Sequence, residues 1–84
     1  MVDISFEETK AFSKSLDKIK DNLSKTKIKK QLKKIIENPE VGKPMRYGRK
    51  GTRELYASPF RISYSCIKGE NKIIFLDIYH KDEQ

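Results

Sequence analysis

The sequence predicts an α+β fold in which two helices cover one face of a four-stranded sheet, in the order β-α-α-β-β-β. Three observations predict it. Apolar residues alternate at the start, recur at helical spacing from Phe12 to Ile36, and alternate again through the last third, where aromatic and β-branched residues gather. Eighty-four residues leave room for one domain, residues 1–84, and one thin core.

Val2, Ile4 and Phe6 alternate with Asp3 and Ser5, so the chain opens with a short half-buried strand. A helix begins at Ser5 or Glu7 and carries Phe12, Leu16, Ile19 and Leu23 along one stripe. Asp21-Asn22 breaks it, and Ser24 or Thr26 is placed to cap a second helix. That helix turns Ile28, Leu32, Ile35 and Ile36 inward and ends at Asn38-Pro39, because the residue before proline avoids helical backbone. The two helices make an antiparallel hairpin with a short loop. From Glu40 to Gly51, three glycines, Pro44 and four basic residues predict loop.

Three strands follow: Arg53 to Ala57, a Ser58-Pro59 turn, Phe60 to Ile67, a Lys68-Gly69-Glu70-Asn71 turn, then Lys72 to Tyr79. The last three strands are antiparallel. Two helices with one apolar stripe each cover only one sheet face. With Phe60, Ile62, Tyr64 and Cys66 turned to the helices, Arg61, Ser63 and Ser65 point the other way. Leu55 faces the core by the same alternation, while Glu54 and Tyr56 join Arg61. A cation, a carboxylate and a phenol share the uncovered face.

Nineteen Lys+Arg against twelve Asp+Glu give a net charge of +7. In so small a body that field attracts polyanions: nucleic acid, an anionic membrane surface or an acidic protein. No apolar run of 18 residues exists, and the N-terminus lacks the basic-then-apolar pattern of a signal peptide. The lone Cys66 has no internal disulfide partner, which suits a reducing compartment. The reading is cytoplasmic, with no membrane partner. One histidine and one cysteine do not supply the four N/S ligands of a structural zinc. No glycine fingerprint for phosphates and no G-x-S-x-G elbow occurs. An active site here is expected to work with cations and without a metal or small-molecule cofactor.

The segment Gly42-Lys43-Pro44-Met45-Arg46, the Lys50-Gly51 turn, Arg53-Glu54-Leu55, Phe60-Arg61-Ile62-Ser63-Tyr64 and the closing Ile78-Tyr79-His80-Lys81 together resemble the RelE/ParE toxin superfamily. The resemblance spans essentially the whole chain and implies the toxin of a type II toxin–antitoxin pair, restrained by a cognate antitoxin. RelE-like members cut mRNA in the ribosomal A site through the neighbouring 2′-hydroxyl, without a metal, and so inhibit translation. ParE-like members keep the fold but poison DNA gyrase. The expected function is therefore a RelE-like endoribonuclease with mRNA and the ribosome as partners. The rivals are a gyrase inhibitor, or an RNA-binding or decayed toxin that never cuts.

The resemblance also assigns roles. Cleavage by 2′-hydroxyl attack needs a base, an acid for the leaving 5′-oxygen, and cations for the phosphorane. Arg61 matches the family's strand arginine and would clamp the scissile phosphate, with Lys81 as a second cation. His80, the one imidazole, belongs to the side-chain type that moves protons near neutral pH and is expected to do so here. Glu54 is expected as base or as the orienter of Arg61. Tyr56 and Tyr79 read equally as platforms that stack on bases or as sheet residues packed on their neighbours, and Arg46, Arg49, Lys50 and Arg53 would contact phosphates. The lysines between Lys25 and Lys34 read equally as a solvated face or an RNA contact. The chain departs from the pattern at Asp82-Glu83-Gln84, where many relatives carry a stacking aromatic.

Overall fold

The computed structural model describes residues 4–44 and 51–83. Five strands form one mixed sheet: β1 (Ser5–Glu8), β2 (Lys43–Pro44), β3 (Thr52–Ala57), β4 (Phe60–Ile67) and β5 (Lys72–His80), in the order β1-β5-β4-β3-β2. Strand β1 runs parallel to β5, and the other pairs are antiparallel. The α+β class and the succession of elements are as expected; the strand count is five rather than four. The additional strand, β2, lies inside the stretch predicted as loop. It pairs Lys43 with Glu54 and Pro44 with Arg53 at the sheet edge, where proline is tolerated because no outer donor is required.

Helix α1 (Lys10–Lys18) starts later than Ser5 or Glu7, since those residues belong to β1. Thr9 caps it: the hydroxyl oxygen accepts from the Phe12 N–H at 3.1 Å and donates to the Leu76 carbonyl at 2.6 Å. Helix α2 (Asn22–Glu37) is capped by Asp21 rather than by Ser24 or Thr26. The Asp21 carboxylate accepts from the Leu23 and Ser24 N–H groups at 3.3 and 3.2 Å and from the Ser24 hydroxyl at 2.8 Å. The Ser24 hydroxyl and then these amides hold the Asp21 carboxyl below its ordinary range. Leu23 accordingly leaves the α1 stripe, opens α2 and is 64% exposed.

Helix α1 packs on β5 and α2 on β3. Between helices and sheet lie Phe12, Ile19, Ile28, Ile35, Ala57, Ile62, Tyr64, Ile73, Phe75 and Ile78. Tyr64 brings a hydroxyl into this core and satisfies it twice. It donates to the Pro39 carbonyl at 2.7 Å and accepts from the Gly42 N–H at 2.9 Å. Burial pushes its phenol above the usual tyrosine range.

One irregularity in the sheet decides what the site contains. Tyr64 pairs with Phe75, yet its neighbour Ser63 pairs with Asp77, so β5 carries Leu76 as an extra residue. The bulge is tied to α1: Thr9 bonds the Phe75 and Leu76 carbonyls through N–H and hydroxyl, and the Ser15 hydroxyl bonds Asp77 at 2.8 Å. The buried positions of β5 are therefore Ile73, Phe75 and then Ile78. Past the bulge the alternation is inverted. Tyr79 faces away from the helices and His80 faces toward them.

Candidate functional site

The open face is assembled by register. Tyr56 lies opposite Arg61 across β3–β4, Arg61 lies opposite Tyr79 across β4–β5, and Glu54 is two pairs further along, on the same face. Arg61 donates from one guanidinium nitrogen to Glu54 Oε1 at 2.9 Å, and the Tyr79 hydroxyl donates to Glu54 Oε2. The Arg61 guanidinium carbon lies 6.0 Å from the centre of the Tyr56 ring, within reach of a cation–π contact. Glu54 is thus held between a permanent cation and a phenol, with side-chain exposures of 18% for Glu54 and 34% for Arg61. Tyr56, 46% exposed, forms the rim. A half-exposed pair of this kind contributes little to stability. Its chemical capacity is larger: an anion-binding guanidinium fixed in direction, a carboxylate able to take a proton, a phenol bonded to it, and an aromatic platform.

Of the sequence-predicted residues, Glu54, Tyr56, Arg61 and Tyr79 come together. Tyr79 takes a place the sequence did not assign it, bonded to the carboxylate instead of free for stacking. His80 does not join them. It pairs with Phe60, whose ring meets it edge-on at 5.6 Å, and it opens on a cleft of about 340 Å³ with Ser15, Ile19, Asp21 and Ser24 on the helix side. Its Nδ1 accepts from the Asp82 N–H at 3.2 Å. His80, expected to move protons beside Arg61, lies on the other side of the sheet from it, and the bulge at Leu76 is the cause.

Arg53 is also placed elsewhere. It pairs with Tyr64 on the helix side and donates to the carbonyls of Gly42 at 2.7 Å and Glu40 at 3.1 Å, tying the segment after α2 to the sheet. Lys81 is exposed just after β5, its backbone N–H bonded to the Pro59 carbonyl at 3.0 Å. Arg46, Arg49 and Lys50 lie outside the described residues. Among the described residues, no three His, Cys, Asp or Glu side chains converge as metal ligands, and no helix is long and apolar enough to cross a membrane.

A helix-backed sheet presenting Glu54, Arg61, Tyr79 and Tyr56 on its open face, in a chain of net charge +7, defines a small basic α+β protein. The family model for the ParE toxin of type II toxin–antitoxin system, parDE, matches residues 7–84. The chain belongs to that family, and it is the toxin of a type II toxin–antitoxin system.

Solved structures carry the same fold. The RelBE2 toxin–antitoxin complex from Mycobacterium tuberculosis superposes with a TM-score of 0.80 at 20% identity, covering 99% of this chain and 97% of that one. The isolated RelE toxin of E. coli gives 0.80 at 14% identity, covering 96% and 87%. A YoeB/ParE toxin from Agrobacterium tumefaciens gives 0.80 at 12% identity, covering 92% and 98%. At such identities the likeness is one of fold. No curated protein sequence matches the chain.

Proposed function

We propose that this toxin inhibits translation by cutting mRNA in the ribosomal A site, by 2′-hydroxyl attack without a metal. The observation that carries the reading is the Glu54 carboxylate held between Arg61 and Tyr79, beside an exposed Tyr56 ring, on a sheet face that no helix among the described residues covers. Glu54 takes the proton of the 2′-hydroxyl, whose oxygen attacks phosphorus. The guanidinium of Arg61 stabilises the phosphorane, joined by Lys81 at the strand exit. As the bond to the 5′-oxygen breaks, Tyr79 gives that oxygen its proton and recovers one from Glu54. The products are a 2′,3′-cyclic phosphate and a 5′-hydroxyl. Tyr56 stacks on a base. His80, turned to the helices, has no part in this relay.

A cognate antitoxin restrains the activity by covering this face in the cytoplasm; the RelBE2 and E. coli RelBE structures are themselves toxin–antitoxin complexes. A second reading, inhibition of DNA gyrase, is favoured by the family model being that of ParE toxins and by the withdrawal of His80 from the sheet face. Mapping transcript 5′ ends after induction separates the two. New ends that vanish in Glu54→Gln and Arg61→Ala support cleavage; intact transcripts accompanied by gyrase-dependent DNA breaks select the second reading.

A further inference from the structure

The basic character of the molecule does not end at the sheet. Strand β2 covers β3 only at Arg53 and Glu54, leaving the edge at Leu55 to Ala57 without a strand neighbour. Helix α2 reaches that edge: the Gln31 side-chain amide donates to the Tyr56 carbonyl at 2.7 Å. Tyr56 itself belongs to the open face beside Arg61. Gln31 therefore marks the point where α2 adjoins the proposed site.

Lys27 and Lys34 stand four residues before and three after Gln31, on the same side of the helix, and Lys30 links them at i+3 and i−4. All three are exposed, and none makes an ion pair among the described residues. From Asn22 to Ile36 the helix holds no acid, so these lysines repel one another at helical spacing, offset only at the two ends, by Asp21 facing Lys27 and by Glu37 three residues after Lys34. Asp21 gives its hydrogen bonds to the cap and reaches Lys27 only through the field, so the middle of the stripe, at Lys30, has no acid beside it on the helix. A stripe of like charge that weakens its own helix, and that starts where the site ends, is matched in charge and direction by a phosphodiester backbone.

We propose that Lys27, Lys30 and Lys34 form a track for the phosphates of the RNA strand flanking the site, running from Arg61 and Tyr56 over the β3 edge onto α2. The inference rests on the RNA reading above, and it adds a second, non-catalytic contact surface that fixes how much RNA the toxin holds.

The test uses the whole chain and two uncleavable 2′-O-methyl RNAs, a labelled 20-mer and a trinucleotide, followed by fluorescence anisotropy across a salt series. The triple variant Lys27→Gln, Lys30→Gln, Lys34→Gln is compared with wild type and with the corresponding Lys→Arg triple, all checked for equal melting midpoints. Three lost contacts at about 0.7 each lower the slope of log affinity against log salt for the 20-mer by about 2, and weaken binding on the order of tenfold at 0.1 M salt. Trinucleotide binding stays unchanged, and the arginine triple behaves as wild type. An unchanged slope overturns the track, as does weakened binding of a polyglutamate peptide with RNA binding intact, which assigns the stripe to an acidic protein. If transcripts prove uncut but the slope shifts, cleavage falls and the track stands; cut transcripts with an unshifted slope give the reverse.

Discussion

Replacing Gly42 by alanine probes the joint between the helical layer and the strand that carries Glu54. A Cβ at this position would lie 2.6 Å from the Tyr64 hydroxyl oxygen, 2.9 Å from Tyr64 Cε1 and 2.9 Å from the Glu54 carbonyl oxygen. Tyr64 is fully buried, and the Glu54 carbonyl belongs to a strand paired on both sides, so neither gives way readily. The segment after α2 must move instead. That breaks the bonds linking the Tyr64 hydroxyl to Gly42 and Pro39 and stretches the one from Arg53 to the Gly42 carbonyl. Each buried polar group left unpaired costs about 1–3 kcal/mol, with part of that recovered as water reaches the displaced loop. The expected loss is about 2–4 kcal/mol, which at about 4–8 °C per kcal/mol lowers Tm by roughly 8–32 °C. Urea unfolding measures it. The double variant with Tyr64→Phe removes the hydroxyl that makes the shortest contact, so the two losses should overlap by about 1 kcal/mol or more. Stability of Gly42→Ala within about 0.5 kcal/mol of wild type, or strict additivity in the double variant, would show that the Cβ is accommodated without breaking the Tyr64 bonds.

Three further outcomes follow from the same geometry. Thr9→Ala removes both the α1 cap and the donor to the Leu76 carbonyl at the bulge, and should cost about 1–2 kcal/mol in urea unfolding. Asp21 has its folded pKa lowered from 3.8, so its contribution is present above that pH and is lost as pH falls through the folded value; Asp21→Ala should flatten the acid limb of a stability–pH curve and leave the neutral-to-alkaline shape unchanged. His80→Ala should leave growth arrest and RNA cleavage within a few-fold of wild type, whereas Glu54→Gln should reduce single-turnover cleavage by about 10²–10⁴; a His80→Ala toxin as inert as Glu54→Gln would contradict the face assignment.

Much of the fold was legible because short-range patterns carried it. Alternation in Arg53 to Ile67 places Leu55, Ile62 and Tyr64 inward, and Pro39 stops α2 where the residue-before-proline rule says it should. Elements set by long-range partners were not legible. Strand β2 exists only because β3 offers an edge to Lys43 and Pro44, and the first helix starts late because β1 pairs with β5. Arg53 is bonded to two carbonyls eleven and thirteen residues away that no local pattern reveals. The placement of His80 was within reach, however. Ile73 and Phe75 are two apart, but the next buried residue, Ile78, is three further on, with polar Asp77 where unbroken alternation would put an apolar side chain. That spacing is the mark of a bulge.

The bulge also explains how one sheet can host different chemistries without a different core. Because side chains alternate with period two, one extra residue in β5 exchanges the faces of everything beyond it. Here it delivers Tyr79 to Glu54 and Arg61 and sends His80 to the helix side, while Ile73, Phe75 and Ile78 stay buried. A strand without the insertion would present the histidine and hide the tyrosine. The side chain offered to the open face is thus set by the phase of a single strand, and the hydroxyls of Thr9 and Ser15 pin that bulge to α1 from behind the sheet. On the proposed mechanism, Thr9→Ala with Ser15→Ala should lower cleavage through register, with no atom of the Glu54, Arg61 and Tyr79 cluster altered.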